Sequence, residues 1–231
     1  MGCRIAVAAP CLDVTQPRLL AGVWKGLFKD ALSLVDEIAR NGVTAPFWTF
    51  GGGTVLMLRY RHRRSKDIDI FVPDPQYLGY VTPRLSSIAE RISPDYVEAS
   101  NHVKLIRAEG EIDFVVSSCL TTPGFEMWRI AGREVRVETA VEIVAKKMWH
   151  RGDTATARDL FDMSLLIEKE RKALAGAAPF LVRHRKEFLA QLRSRDRALR
   201  AQFDALDTMK YHPTYDACVA RTESFLESLP G

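Results

Sequence analysis

One short segment, residues 50–72, limits what this chain can fold into more than any other. It reads FGGGTVLMLRYRHRRSKDIDIFV: a glycine-rich turn, a short apolar stretch, a basic run and an apolar strand containing two aspartates. Successive side chains of a β-strand point to opposite faces, so Ser65, Asp67 and Asp69 are expected to share one face, while the isoleucines among them enter a core. Two carboxylates would therefore lie side by side on an exposed patch.

Paired carboxylates beside a glycine turn point to phosphate chemistry. Like charges held close together repel, and the natural cation between oxygen ligands is a hard divalent ion: Mg²⁺, with Mn²⁺ as the alternative. Mg²⁺ often takes further ligands from phosphates, and a turn at residues 51–53 lets backbone N–H groups approach a phosphate chain. Each motif alone is more often structural, because aspartates commonly decorate strands and glycines form flexible turns. Their combination favours phosphoryl or nucleotidyl transfer.

A third carboxylate is expected on a neighbouring strand. Residues 102–118, HVKLIRAEGEIDFVVSS, form two apolar alternating runs separated at Glu109-Gly110, which predicts an antiparallel hairpin. Asp113 lies in the second run, on the face opposite its apolar neighbours. A carboxylate there is either at a solvated edge or held for a site. Asp113 is therefore a candidate third metal ligand, or only a neighbour of the site.

The composition is that of a soluble globular protein. The 231 residues are 47% hydrophobic and 27% charged, which suits one compact domain or two small ones. No apolar run approaches the roughly 20 residues that span a bilayer, and the N-terminal stretch is too interrupted for a signal peptide. We therefore expect no membrane contact and a cytoplasmic location. The scattered cysteines and histidines show no metal-binding spacing, so a metal would need oxygen ligands.

The positive charge is unevenly distributed, although the net charge is only +4. One cluster lies beside the aspartates; it comprises Arg59, Arg61, Arg63 and Arg64. A second cluster lies in the C-terminal part; it comprises Arg183, Arg185, Lys186, Arg193, Arg195, Arg197 and Arg200. Basic clusters attract nucleic-acid phosphates, but the second one is equally well explained as the solvated face of a helix.

Hydrophobic periodicity divides the chain into a mixed part and a helical part. The predicted elements are helices over 18–40, 54–60 and 76–92, strands over 46–50 and 65–72, the hairpin at 102–118, and helices from Thr139 onward, with breaks at Gly152, Pro179 and Pro213. In the second of these C-terminal helices, Arg158 and Asp162 are four residues apart, so we expect them to form an intrahelical ion pair.

These motifs, in this order, resemble the AbiEii abortive-infection nucleotidyltransferases, the toxins of type IV toxin–antitoxin pairs. The matching residues are Gly52-Gly53-Thr54, His62-Arg63, Ser65, Asp67-Ile68-Asp69, Lys147 and 158–162 (RDLFD). That family belongs to the DNA polymerase β-like nucleotidyltransferases. The resemblance implies an α+β fold: a nucleotidyltransferase domain at residues 1–137, with a mixed or antiparallel sheet flanked by helices, and a helical lobe at 138–231.

The resemblance also implies roles for single residues. The implied nucleotide contacts are Gly52, Gly53, Thr54, Arg63 and Ser65. The implied catalytic residues are Asp67, Asp69, Lys147 and Asp159. Asp67 and Asp69 would hold Mg²⁺, Lys147 would balance the charge of the triphosphate, and Asp159 would complete the pocket.

Two adjacent lysines compete for the catalytic position. Successive positions of a helix differ by about 100° of rotation, so only one of the two is expected to face the pocket. Lys147 is favoured because Met148 follows it, which matches the lysine-then-apolar order of the family. Lys146 is the alternative.

The implied reaction is the transfer of a nucleoside monophosphate from an NTP to an acceptor. RNA, especially a tRNA 3′ end, is the favoured acceptor, and a cognate antitoxin is the expected protein partner. Three alternatives stay open: transfer to a protein hydroxyl, a catalytically silent nucleotide- or RNA-binding module, and a metal-dependent phosphohydrolase. The motifs do not select the base of the NTP.

Overall fold

Seven strands and ten helices build the part of the chain that the structure, a computed structural model, describes: residues 19–230. The expectations about the N-terminal stretch, including Cys3 and Cys11, lie outside these residues. The strands are β1 (Thr49–Gly51), β2 (Ile68–Val72), β3 (Tyr96–Ala99), β4 (His102–Arg107), β5 (Gly110–Val116), β6 (Phe125–Ile130) and β7 (Arg133–Glu138). The helices are α1 (Trp24–Arg40), α2 (Gly52–Tyr60), α3 (Leu78–Val81), α4 (Ser87–Ile92), α5 (Ala140–Arg151), α6 (Ala157–Gly176), α7 (Ala178–Leu181), α8 (Arg185–Ser194), α9 (Asp196–Asp204) and α10 (Tyr215–Glu227).

All seven strands belong to one mixed sheet, in the order β3-β4-β5-β2-β1-β7-β6. The central strands β1 and β2 are antiparallel, and each has a parallel neighbour on its outer side, β7 and β5 respectively. The predicted hairpin is confirmed, because β4 and β5 pair antiparallel with Arg107 opposite Gly110. The prediction of an α+β fold with a mixed sheet is confirmed.

The two faces of the sheet differ in chemistry. One face packs against α1, an amphipathic helix whose buried residues include Phe28, and the Phe28 and Phe50 rings lie 4.7 Å apart. The strand residues of this face are apolar and fully buried; they include Ile68, Ile70, Ile112 and Phe114. The opposite face carries the polar members of the same alternation, among them Asp69 and Asp113. Period-two alternation thus separates the core from the site.

The predicted helix over 76–92 is wrong as a single element. The segment forms α3 and α4, joined by a turn at Thr82 and Pro83. The residue before a proline is pushed out of the α region, and Thr82 has φ −82° and ψ 133°. A new helix then starts where the Ser86 side chain accepts a hydrogen bond from the backbone N–H of Ala89.

Three strands were not predicted from the sequence: β3, β6 and β7. The hairpin β6–β7 turns through Ala131 and Gly132, which both have positive φ, 51° and 78°. A two-residue turn with positive φ at both positions matches the right-handed twist of the strands that it joins. Glycine adopts positive φ without strain. The hairpin extends the sheet beyond β1 and delivers Glu138 to the start of α5.

The helical part begins at α5, whose first turn is capped by the Thr139 side chain. The predicted ion pair between Arg158 and Asp162 is wrong. Asp162 is fully buried and binds residues of other elements, whereas the Arg158 side chain is 61% exposed and approaches Asp67. An intrahelical pair is worth only a few tenths of a kcal/mol, so stronger tertiary contacts replace it.

Three of the seven residues in the C-terminal basic cluster are paired within the chain. Arg193 binds Glu223 and Arg200 binds Asp216, both on α10, while Arg185 donates to the carbonyls of Leu226 and Leu229. For these three residues the structure favours the solvated helix face over a nucleic-acid surface. Within residues 19–230, every helix is too short or too polar to span a membrane.

Candidate active site

A cavity of about 580 Å³ lies between the polar face of the sheet and the helices α5 and α6. We call it the central cleft. Eight of the predicted site residues line it: Gly52, Gly53, Arg63, Ser65, Asp67, Asp69, Asp113 and Lys147. Thr54 and Asp159, also predicted, are not among the lining residues and lie behind its walls. The sheet side thus contributes the carboxylates, and four of the six lysines and arginines that line the cleft come from α5 and α6.

The carboxylates occupy neighbouring positions on two parallel strands. Asp69 of β2 pairs in register with Asp113 of β5, and Asp67 lies just before β2 begins. Burial, and then the charge of Asp113, raise the pKa of Asp69 to about 6. Burial likewise raises the pKa of Asp113 to about 6, although Lys104 opposes it with Nζ 3.4 Å from Oδ2. Their environment favours a neutralising cation.

The donor set fits Mg²⁺ held by two carboxylates together with phosphate oxygens. Within residues 19–230, no three carboxylate, imidazole or thiol groups converge into a metal site made by the protein alone. Mg²⁺ is commonly bound by one or two carboxylates plus substrate phosphates, so Asp67 and Asp69 suffice. Asp113 is engaged by Lys104, and its role as a third ligand stays a prediction.

The glycine turn is shaped by Asp69. Gly52 has φ +71°, and a Cβ atom at this position would lie 1.8 Å from Oδ2 of Asp69. Only glycine permits this approach of backbone to carboxylate. Gly52 is also the first residue of α2, whose initial backbone N–H groups lack partners inside the helix and suit an anion. The turn therefore places the first backbone amides of α2 directly beside the Asp69 carboxylate.

Thr54 is buried and binds the loop that precedes β2. Its side chain is fully buried, and its hydroxyl donates to the Asp67 carbonyl at 2.6 Å and lies 3.1 Å from Ser65 Oγ. Both of these partners belong to the loop before β2, so the Thr54 side chain points toward that loop. It supports the positions of Ser65 and Asp67, and the structure gives it no place on the cleft wall.

Lys147 reaches the cleft from α5 and is held by two aspartates of α6. Its Nζ lies 2.5 Å from Asp162 Oδ2 and 3.1 Å from Asp159 Oδ1. Asp159 also binds Arg151 and closes the capping box of α6 with Thr156. Although burial opposes it, the charges of Lys147 and Arg151 lower the pKa of Asp159. Asp159 thus supports two cations from behind the wall.

Asp162 is the residue of this cluster that the sequence did not single out as part of the site. Its oxygens accept hydrogen bonds from Nε and Nη2 of Arg63, both at 2.8 Å, and from Lys147, while His62 Nε2 lies 2.8 Å away. These cationic partners hold its pKa well below the usual range despite complete burial. The signal was available, because the RDLFD motif contains two aspartates and sequence reasoning used only the first.

Both adjacent lysines line the central cleft, so the expectation that only one would face it is wrong. Lys146 is more deeply buried, with 4% of its side chain exposed against 13% for Lys147. Its Nζ lies 2.5 Å from Glu138 Oε1 and 4.1 Å from the centre of the Phe71 ring. Lys146 is committed to Glu138, whereas Lys147 is the more accessible cation.

Two exposed arginines complete the helical wall and were not assigned to the site from the sequence. Arg158 lies opposite the carboxylates, with Nη1 4.0 Å from Asp67 Oδ2, and Arg151 extends beside it from the end of α5. Their side chains are 61% and 49% exposed. Arg158 is therefore available to an anionic ligand, whereas Arg151 is also bound to Asp159.

A family comparison agrees with this arrangement. The family described as nucleotidyl transferase AbiEii toxin, type IV toxin–antitoxin system, matches residues 34–228. The chain belongs to the AbiEii family. As a member of it, this AbiEii chain is a nucleotidyltransferase of the toxin type. A search of curated proteins returned no match.

Several solved structures are similar to this AbiEii chain, at low identity. MenT4, a nucleotidyltransferase toxin from Mycobacterium tuberculosis H37Rv, has 17% identity and a TM-score of 0.48, with 90% of this chain and 85% of that chain covered. JHP933 from Helicobacter pylori has 16% identity and a TM-score of 0.45, covering 85% and 88%. ANT(2″)-Ia, in complex with adenylyl-2″-tobramycin, has 16% identity and a TM-score of 0.45, covering 69% and 97%.

Asp69→Asn should stabilise the metal-free protein. At pH 8 the buried carboxylate is ionised beside Asp113, and removal of its charge should raise the free energy of unfolding by about 1–3 kcal/mol. Urea denaturation in EDTA measures this change. Asp67→Asn is the matched control and should give no such gain, because Asp67 Oδ1 accepts a hydrogen bond from the Glu111 backbone. A loss of stability in Asp69→Asn would contradict the prediction.

Lys146→Met should mainly lower the stability of the protein, whereas Lys147→Met should mainly lower its activity. Loss of Lys146 leaves the fully buried Glu138 without its cation, which should cost about 3 kcal/mol of stability. Loss of Lys147 should lower kcat/KM for the NTP on the order of 100-fold with a smaller stability change, since it removes a cation facing the cleft. Thermal unfolding and initial rates measure both, and the reverse ranking would show that Lys146 is the catalytic lysine.

Asp162→Asn should destabilise the protein more than Asp159→Asn. Asp162 is the shared partner of two buried cations and His62, so its neutralisation should cost about 3–5 kcal/mol. Asp159 binds the half-exposed Arg151 and a Lys147 ammonium group that Asp162 also holds, so its neutralisation should cost less, about 1–2 kcal/mol. Urea midpoints of the two variants test this order; equal midpoints would show that Asp162 is not the main support.

Proposed function

We propose that this chain is a Mg²⁺-dependent nucleotidyltransferase that transfers a nucleoside monophosphate from an NTP to RNA, with a tRNA 3′ end as the favoured acceptor. The observation that supports the proposal is the division of charge across the central cleft. Asp67 and Asp69 face it from the sheet, and Lys147, Arg151 and Arg158 face it from the helices. A triphosphate with a divalent cation complements both walls.

Each wall has its own task in this proposal. Asp67 and Asp69 would hold Mg²⁺, which when bound stabilises negative charge on phosphate oxygens. The amides at the start of α2 orient the phosphate chain, and Lys147 and the arginines neutralise the pyrophosphate that leaves. An acceptor hydroxyl forms the new bond to the α-phosphorus as the bond to the pyrophosphate oxygen breaks. The hydroxyl proton is released to solvent.

An anionic acceptor is favoured by the charge around the cleft. Arg151 and Arg158 are exposed at its open side, where they attract phosphates and repel a cationic acceptor. We also propose the domain division: residues 1–137 as the catalytic domain and 138–231 as the helical lobe, since the sheet ends at Glu138 and α5 begins at Ala140. A cognate antitoxin is proposed on the basis of the toxin family alone.

Labelled nucleotides should identify the reaction. Incubation with Mg²⁺, total tRNA, cell protein and each of the four α-³²P-labelled NTPs should label RNA, while γ-labelled NTPs should release labelled pyrophosphate and leave RNA unlabelled. Asp69→Asn serves as the inactive control. Label in protein would support the protein-directed alternative, and pyrophosphate release without any labelled acceptor would support a hydrolase. Absence of turnover in folded protein would favour a silent binding module.

A further inference from the structure

A second cavity, of about 850 Å³, adjoins the central cleft. We call it the outer groove. Lys66 and the β4–β5 hairpin form one wall, through Lys104, Ile106, Arg107, Gly110 and Glu111. The start of α6 and the residues around the end of α9 form the other, through Thr156, Ala157, Arg158, Gln202, Ala205 and Leu206. Asp67 and Arg151 complete its lining.

The two cavities meet at Asp67. Of the three candidate metal ligands, Asp69 and Asp113 line the central cleft, whereas Asp67 lines both cavities. Arg158 stands opposite Asp67 and is likewise shared, as are Lys104, Glu111 and Arg151. In a phosphoryl transfer the attacking and leaving oxygens lie roughly in line, so an acceptor must enter from a side that the triphosphate leaves open. The outer groove provides such an entrance.

The lining of the outer groove is cationic. It includes five cations, Lys66, Lys104, Arg107, Arg151 and Arg158, and two carboxylates, Asp67 and Glu111. Three of the cations are balanced by short ion pairs: Lys104 with Glu111, Arg107 with Asp30 and Arg151 with Asp159. Lys66 is exposed and forms no ion pair within the described residues, and Arg158 reaches Asp67 only at 4.0 Å. Lys66 and Arg158 are thus available to a ligand.

The groove also offers apolar surface between its charges. Ile106 is 40% exposed although its strand neighbour Leu105 is fully buried, and Ala205 and Leu206 lie on the facing wall. A groove that combines cations with exposed apolar side chains suits a single strand of nucleic acid, whose phosphates contact the cations and whose bases pack on the apolar surface.

We infer that the outer groove holds the single-stranded RNA next to the acceptor 3′ end, with Lys66 as a phosphate contact. The inference rests on the proposed function, since it assigns the proposed RNA acceptor to the outer groove. It adds a binding site that adjoins the nucleotide site and extends beyond it, along the β4–β5 hairpin and the turn after α9. A small cationic acceptor would be repelled from the same surface.

The test measures binding of a fluorescein-labelled single-stranded RNA by anisotropy, without NTP, over a series of salt concentrations. Lys66→Ala should raise the Kd about 5-fold and lower the slope of log Kd against log salt by about 0.7, the value for one phosphate contact on a single strand. Lys172→Ala removes an exposed lysine of α6 that lies outside both cavities and should change neither quantity.

A second pair of variants tests the opposite wall. Gln202→Glu adds a negative charge inside the outer groove and should weaken RNA binding, whereas Gln76→Glu adds the same charge at an exposed position outside it. In transfer assays the groove variants should raise KM for RNA at least 3-fold while KM for the NTP stays within about 2-fold. Thermal shifts with Mg²⁺ and NTP should match wild type.

The outcomes separate the two proposals. If wild type labels RNA but both groove variants behave like their controls, the groove assignment is wrong and the proposed function stands. If wild type labels protein and binds no RNA, the RNA acceptor and the groove assignment are both wrong. A parallel loss of NTP use would also overturn the assignment, because it would place Lys66 and Gln202 in the nucleotide site.

Discussion

The geometry of the site depends on one buried carboxylate, Asp162. It receives the guanidinium fork of Arg63, the ammonium group of Lys147 and the His62 ring, and it is completely shielded from water. These partners come from the segment after α2 and from α5, while Asp162 belongs to α6. A buried charge is tolerated only when it is fully paired, so the three elements must meet in one arrangement. That arrangement places Arg63 and Lys147 on the wall of the central cleft.

The consequences reach the glycine turn. The guanidinium that Asp162 fixes lies against Gly53, where a Cβ atom would be 2.9 Å from Nη2. Asp69 presses against Gly52 from the other side, and the Thr54 hydroxyl ties the turn to the loop carrying Ser65 and Asp67. The phosphate-facing amides and the carboxylates are therefore positioned by the same contacts, which suits a site that must hold a metal and a phosphate together.

Sequence reasoning succeeded where local pattern and tertiary structure agree. The β4–β5 hairpin, α1, α5 and α6 follow from periodicity and turn residues, and Asp67 and Asp69 lie together in the central cleft, whereas Asp159 lies behind its wall. It failed where a local signal was read incompletely or was overridden. Pro83 divides the segment 76–92, and the alternation around Ala131-Gly132 marked a hairpin that was not predicted. The rotation of about 100° between successive helix positions did not exclude either lysine, because both Lys146 and Lys147 line the central cleft.

The sequence by itself determined which side chains form much of the central cleft: a glycine turn, two aspartates two residues apart and a distant lysine, in an order typical of one family. These features are local, since strand alternation and turn conformation depend on neighbouring residues. Only the tertiary structure decided which charges meet. Asp162 binds Arg63 and Lys147 instead of Arg158, Lys146 is taken by Glu138, and Thr54 faces inward. The physical reason is burial: a charge removed from water must find its partner in three dimensions, and no spacing along the chain specifies that partner.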